Sequence, residues 1–143
     1  MSKVMVVFWT GSGNTLKMAE AIAAGAQAAG AEVETTTFDQ TTPEAVAAAD
    51  VVALGCPAMG AEVLEESIVE PFICDYEGLC SGKKIGLFGS YGWGDGQWMR
   101  DWVDRMSAAG ANVVTGEGLM ANNEPDADAL AECENFGQTL AKA

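Results

Sequence analysis

The sequence predicts a doubly wound α/β domain, with a five-stranded parallel sheet covered by helices on both faces. Three observations predict it. Strand-like and helix-like stretches alternate along the whole chain. The clearest strand, Val4-Met5-Val6-Val7-Phe8, is apolar without a break, as expected where both faces of a sheet are covered. A chain of 143 residues that is 49% apolar can build one packed core but not two, so residues 1–143 are read as a single domain.

The elements follow in order. The first strand covers 3–9. A helix over 15–29 carries Leu16, Ala19, Ala23 and Ala26 at helical spacing, and Gly30 stops it. Residues 32–38 alternate Val33, Thr35 and Thr37 with Glu32, Glu34 and Thr36, which suits an edge strand. A short helix is expected over 43–49 and a buried strand over 50–55. Residues 65–75 read as a helix that Pro71 should break or restart. A fourth strand covers 84–89. The helix over 97–109 places Trp98, Trp102 and Met106 on one stripe and ends at Gly110. A fifth strand over 112–115 and a last helix over 126–141 complete the pattern.

Seven Lys and Arg against twenty-one Asp and Glu leave a net charge of −14. Such a surface repels nucleic acid and anionic bilayers, and it favours protein partners with basic docking surfaces. It also serves solubility. Cys56, Cys74, Cys80 and Cys133 form no CxxC pair, and the chain has no histidine. Zinc and iron–sulfur sites and imidazole-based catalysis are therefore not expected. The expectation is reduced, mostly buried thiols in a cytoplasmic protein without a leader or membrane span.

In doubly wound sheets, ligands sit beyond the carboxyl ends of the strands. The loop after the first strand, Thr10-Gly11-Ser12-Gly13-Asn14-Thr15, is uncharged and rich in glycine and hydroxyls. Backbone N–H groups at the start of a helix make an anion site, and these side chains add donors, so a phosphate is the expected occupant. No lysine follows Gly13, as a P-loop requires, and Leu16 stands where a dinucleotide fingerprint has its third glycine. A phospho-aspartate receiver is excluded as well, because neither the first nor the third strand ends in acidic residues. The loops after the third and fourth strands, Cys56-Pro57-Ala58-Met59-Gly60-Ala61-Glu62 and Ser90-Tyr91-Gly92-Trp93-Gly94-Asp95-Gly96, face the same crevice. Trp93 between glycines offers a face on which a flat ligand can stack, and Met59 offers a polarizable second face.

These three segments, together with Asn123-Glu124-Pro125-Asp126, resemble the phosphate loop and isoalloxazine loops of short-chain flavodoxins, and the resemblance covers the whole chain. It implies sheet order 2-1-3-4-5 and bound flavin mononucleotide (FMN), with the phosphate in residues 10–15. Pro57, Ala58, Met59, Gly60, Ala61 and Glu62, and Ser90, Tyr91, Gly92, Trp93, Gly94 and Asp95, would line the rest of the site. Met59 and Trp93 would flank the ring. Glu62 would accept a hydrogen bond from flavin N3, and the Gly60 carbonyl would meet N5 on reduction. Family members often carry an acidic residue where this chain has Ala61. The implied function is a monomeric, low-potential one-electron carrier that passes electrons between redox enzymes in place of ferredoxin. An FMN-dependent quinone or azo reductase is the alternative, but it needs substrate-pocket segments that this short chain does not offer.

Overall fold

In the computed structural model, which describes residues 3–60, 62–92 and 94–143, the opening apolar run forms β1 (Lys3–Phe8) at the heart of the sheet. Ala61 and Trp93, both expected at the cofactor site, lie outside the described residues. The chain continues through α1 (Asn14–Ala28), β2 (Glu32–Thr37), a 3₁₀ turn, α2 (Pro43–Ala47), β3 (Val51–Gly55), α3 (Val69–Tyr76) and β4 (Lys84–Tyr91). It ends with α4 (Gln97–Ala108), β5 (Asn112–Val113), β6 (Leu119–Asn122) and α5 (Ala127–Ala141).

All strand pairs are parallel, in the order β2-β1-β3-β4-β5. Register runs Val4↔Val51 to Phe8↔Gly55 between β1 and β3, and Val51↔Lys84 to Gly55↔Phe88 between β3 and β4. Alternation sorts the side chains. Val4, Val6 and Phe8 join α1 and α5 on one face, and Met5 and Val7 join α3 and α4 on the other.

Two elements differ from the sequence reading. The fifth strand position is filled by two short segments. β5 pairs with the lower half of β4 and β6 with the upper half, from Phe88↔Leu119 to Tyr91↔Asn122. Between them the chain turns away at Gly116 (φ 77°), and the Thr115 hydroxyl donates to the Glu117 carbonyl at 2.6 Å. The third helix starts at Val69, four residues later than its pattern suggested. Pro71 does not break it, because it falls in the first turn, where a missing N–H costs no helical bond.

The α1–α5 contact is unusually close. A Cβ on Gly25 would lie 2.0 Å from the Glu134 carbonyl oxygen, and one on Gly137 would lie 2.0 Å from that of Ile22. Glycine at both positions lets the main chains touch. This contact sets the depth of α1, whose N-terminus opens onto the carboxyl edge of the sheet.

Candidate functional site

α1 begins without a cap. Its first residue follows Gly13, whose φ of 94° is left-handed and which makes no side-chain capping bond. No acidic residue lies in the first turn. The Thr10 hydroxyl accepts from the Gly13 N–H at 2.9 Å, which folds the loop over the start of the helix. The early N–H groups of a helix have no intrahelical acceptors, so this end seeks an anion. Beneath it, the buried hydroxyls of Thr15 and Ser90 share a hydrogen bond of 3.0 Å that ties α1 to β4. Lys17, one turn in, pairs with Glu124 at 3.1 Å.

The loop after β3 is pinned at its start. Ala58 N–H donates to the Ser90 carbonyl at 3.0 Å, and Trp98 Nε1–H donates to the Cys56 carbonyl at 3.1 Å. Met59 and Val63 then exchange N–H and C=O bonds of 2.9 and 3.0 Å, an antiparallel bridge that closes a tight hairpin. Gly60 takes a positive φ of 48°, and so does Glu62 at 57°, which its residue type did not foretell. The hairpin ends on Glu65, which is only 7% exposed. Its carboxylate accepts from the backbone of Ser67, Ile68 and Val69 and from the Ser67 hydroxyl, and so caps α3. Burial pushes its pKa up, but these donors outweigh that and hold it at about 2. Burial likewise pushes the Cys56 thiol up to about 12, so it stays protonated beneath the loop.

The loop after β4 meets the hairpin through Glu62. One carboxylate oxygen accepts from the Gln97 N–H at 3.1 Å, capping α4 from a residue far away in sequence, since Gly96 itself supplies no cap. The carboxylate lies flat against Gly94, where a Cβ would sit 2.5 Å from Oε1, and Gly94 also has a φ of 85°. The positive φ favours glycine, and a Cβ here would push the Glu62 carboxylate aside. Asp95 is paired with Arg100 at 3.0 Å, so its charge is partly offset. Tyr91 leans on Trp98 with ring centroids 5.7 Å apart. On the far side, Asn123 N–H donates to the Tyr91 carbonyl at 2.7 Å.

Together these segments enclose a cavity of about 370 Å³, within the range of ligand pockets. Of the predicted residues, Gly11, Ser12, Asn14, Pro57, Ala58, Met59, Ser90, Tyr91 and Gly92 line it. Thr10, Gly13 and Thr15 brace the loop after β1 through the Thr10–Gly13 and Thr15–Ser90 bonds. Gly60, Glu62, Gly94 and Asp95 are not among its lining residues; Glu62, Gly94 and Asp95 meet at the start of α4. Trp9 and Asn123 also line the cavity and were missed as site residues. Trp9 read as the end of a strand, yet its indole packs on Gly11 at the mouth of the loop. Asn123 follows β6, the segment that the single fifth strand did not anticipate. Among the described residues, none on the cavity wall is charged. An FMN phosphate fits this site, because the uncapped helix start and hydroxyls offer donors without an opposing carboxylate.

The family model for flavodoxin matches residues 6–137. The chain belongs to the flavodoxin family. It is 48% identical to a flavodoxin of Clostridium beijerinckii over 95% of this chain and 97% of the other. It is 49% identical to a flavodoxin of Megasphaera elsdenii over 98% and 99% of the two chains. The solution structure of two-electron reduced Megasphaera elsdenii flavodoxin superposes with a TM-score of 0.87 at 48% identity, covering 98% of this chain and 99% of that one. As a flavodoxin, the protein binds FMN and carries electrons between redox partners, and it is an electron-transfer protein rather than an enzyme. Among the described residues, no helix is long and apolar enough to cross a membrane.

Proposed function

We propose that the protein is a low-potential one-electron carrier whose FMN lies in the cavity between the three loops, standing in for ferredoxin between redox enzymes. Bound FMN supplies a ring that takes up and releases electrons. The rest falls to the chain. Thr10, Ser12, Asn14, Thr15 and the first N–H groups of α1 hold the phosphate with neutral donors. Met59 and Trp93 would flank the ring, Glu62 would accept from N3, and the Gly60 carbonyl would accept from N5 once the ring is reduced. Glu62, Glu65 and Glu66 add negative charge on the hairpin side, which disfavours a reduced, anionic ring and lowers the potential. Pairing of Asp95 with Arg100 moderates that effect.

The observation that carries the reading is the uncapped N-terminus of α1 opening on an uncharged cavity. Titration of the cofactor-free protein with FMN and with riboflavin tests it. FMN should bind far more tightly, and equal affinities would remove the phosphate from residues 10–15. The net charge of −14 supports partners with basic docking faces, whose electron-transfer rates should fall as salt rises. The four free cysteines, three of them buried, suit a monomer in the reducing cytoplasm.

A further inference from the structure

The two arms on the ring side of the cavity are joined twice. The upper joint is the Glu62 carboxylate on the Gln97 N–H. The lower one lies two turns along α4, about 12 Å away. There Arg105 reaches across to α3. Its two terminal nitrogens donate to the two carboxylate oxygens of Glu70 at 2.8 and 2.6 Å, while Nε donates to Glu77. The fork is partly buried, with 27% of the Arg105 side chain and 40% of the Glu70 side chain exposed. A planar two-point bond of this kind fixes orientation as well as distance, which a point charge does not.

The hairpin lies beside this junction. A gap of only about 120 Å³ separates them, walled by Glu62, Val63 and Leu64 above and by Glu70, Trp102 and Arg105 below. The connection between hairpin and α3 is stiff, because Leu64 is buried and Glu65 locks the first turn of the helix through its four accepted bonds. A slide of α3 along α4 would therefore carry the hairpin with it.

We propose that Arg105 is a positioning residue for cofactor binding: by fixing α3 against α4 it sets the gap between the Met59–Val63 hairpin and the loop after β4, and with it the grip on the flavin ring. The inference rests on the reading that the ring lies between those two loops. Arg105 touches no part of the cavity wall, so its effect passes through the hairpin.

The test follows flavin fluorescence as cofactor-free protein is titrated with FMN and with riboflavin, using wild type, Arg105→Lys, Glu62→Gln and the double variant. Arg105→Lys keeps the charge and loses the fork. It should weaken FMN and riboflavin by the same factor, about three- to tenfold, because the phosphate loop is untouched. The double variant should lose less than the product of the single losses, since both act on one hairpin. Glu70→Gln breaks the fork from the other side and should reproduce the loss, which covers the case in which Arg105→Lys fails to fold. Wild-type affinities in a folded Arg105→Lys, or losses that multiply in full, would overturn the role of Arg105 and leave the ring placement standing. A loss at Arg105 with none at Glu62 would overturn the ring placement itself, and this route with it.

Discussion

Glu65 sits at the point where the hairpin becomes α3, and its replacement by glutamine tests whether one carboxylate sets that junction. Its pKa is held at about 2 against an ordinary value of 4.5. With each pH unit worth about 1.4 kcal/mol, the ionised group contributes at most about 3 kcal/mol to stability at neutral pH. Glutamine keeps one acceptor oxygen for the helix start, so Glu65→Gln should cost about 2 kcal/mol at pH 7. The sign of the pH dependence follows from a depressed value. The contribution is complete above 4.5, declines as pH falls through that value, and is gone below about 2. Urea unfolding of the cofactor-free protein, followed by tryptophan fluorescence, should thus show a gap between wild type and variant that narrows by more than half between pH 7 and about pH 3. A gap that stays constant across this range would mean that the carboxylate is not ionised against those N–H groups, and the capping argument would fail.

Three further perturbations bear on the frame and the site. Gly137→Ala places a Cβ 2.0 Å from the Ile22 carbonyl oxygen and should destabilise by about 3 kcal/mol or more, read as a lowered urea midpoint; a neutral outcome would mean that the helices part freely. Thr15→Val strands the buried Ser90 hydroxyl at a cost of about 1–3 kcal/mol, and it should weaken FMN more than riboflavin in equilibrium titration. Gly94→Ala meets both a positive φ and the Glu62 carboxylate. Left-handed strain of about 1–2 kcal/mol should appear as a roughly tenfold loss of FMN affinity, and an unchanged affinity would show that the loop relaxes elsewhere.

The uncapped helix start over residues 10–15 was legible because its chemistry is local: six consecutive residues carry the glycines and hydroxyls that open α1. The sheet order came with the family resemblance, and the alternation of apolar stretches supplied the class. What stayed hidden depends on contacts between distant segments. Glu62 as the cap of α4 joins residues 35 apart, and no periodicity reports such a bond. Glu65 read as the first residue of a helix because side-chain capping and helical spacing look alike in an acidic stretch, and only the accepted N–H bonds separate them. The split of the fifth strand was missed because Asn112-Val113-Val114-Thr115 has strand-like composition throughout. The ladder ends with the Val114 N–H on the Ile85 carbonyl at 2.9 Å; the chain then turns at Gly116, and the pairing with upper β4 passes to Leu119–Asn122.

The crossing of α1 and α5 has a consequence for how far such a chain can drift. Where side chains interlock, each substitution asks for a matching change across the interface. Here the touching atoms are carbonyl oxygens of Glu134 and Ile22, which every residue type possesses, and the recognition lies in two hydrogens where a side chain would begin. At these two points the contact asks only for glycine, while the packed positions beside them, Met18 and Ile22 of α1 with Cys133 and Phe136 of α5, must still match in volume. With both glycines kept, the spacing of the two axes should outlast most of the sequence that surrounds it.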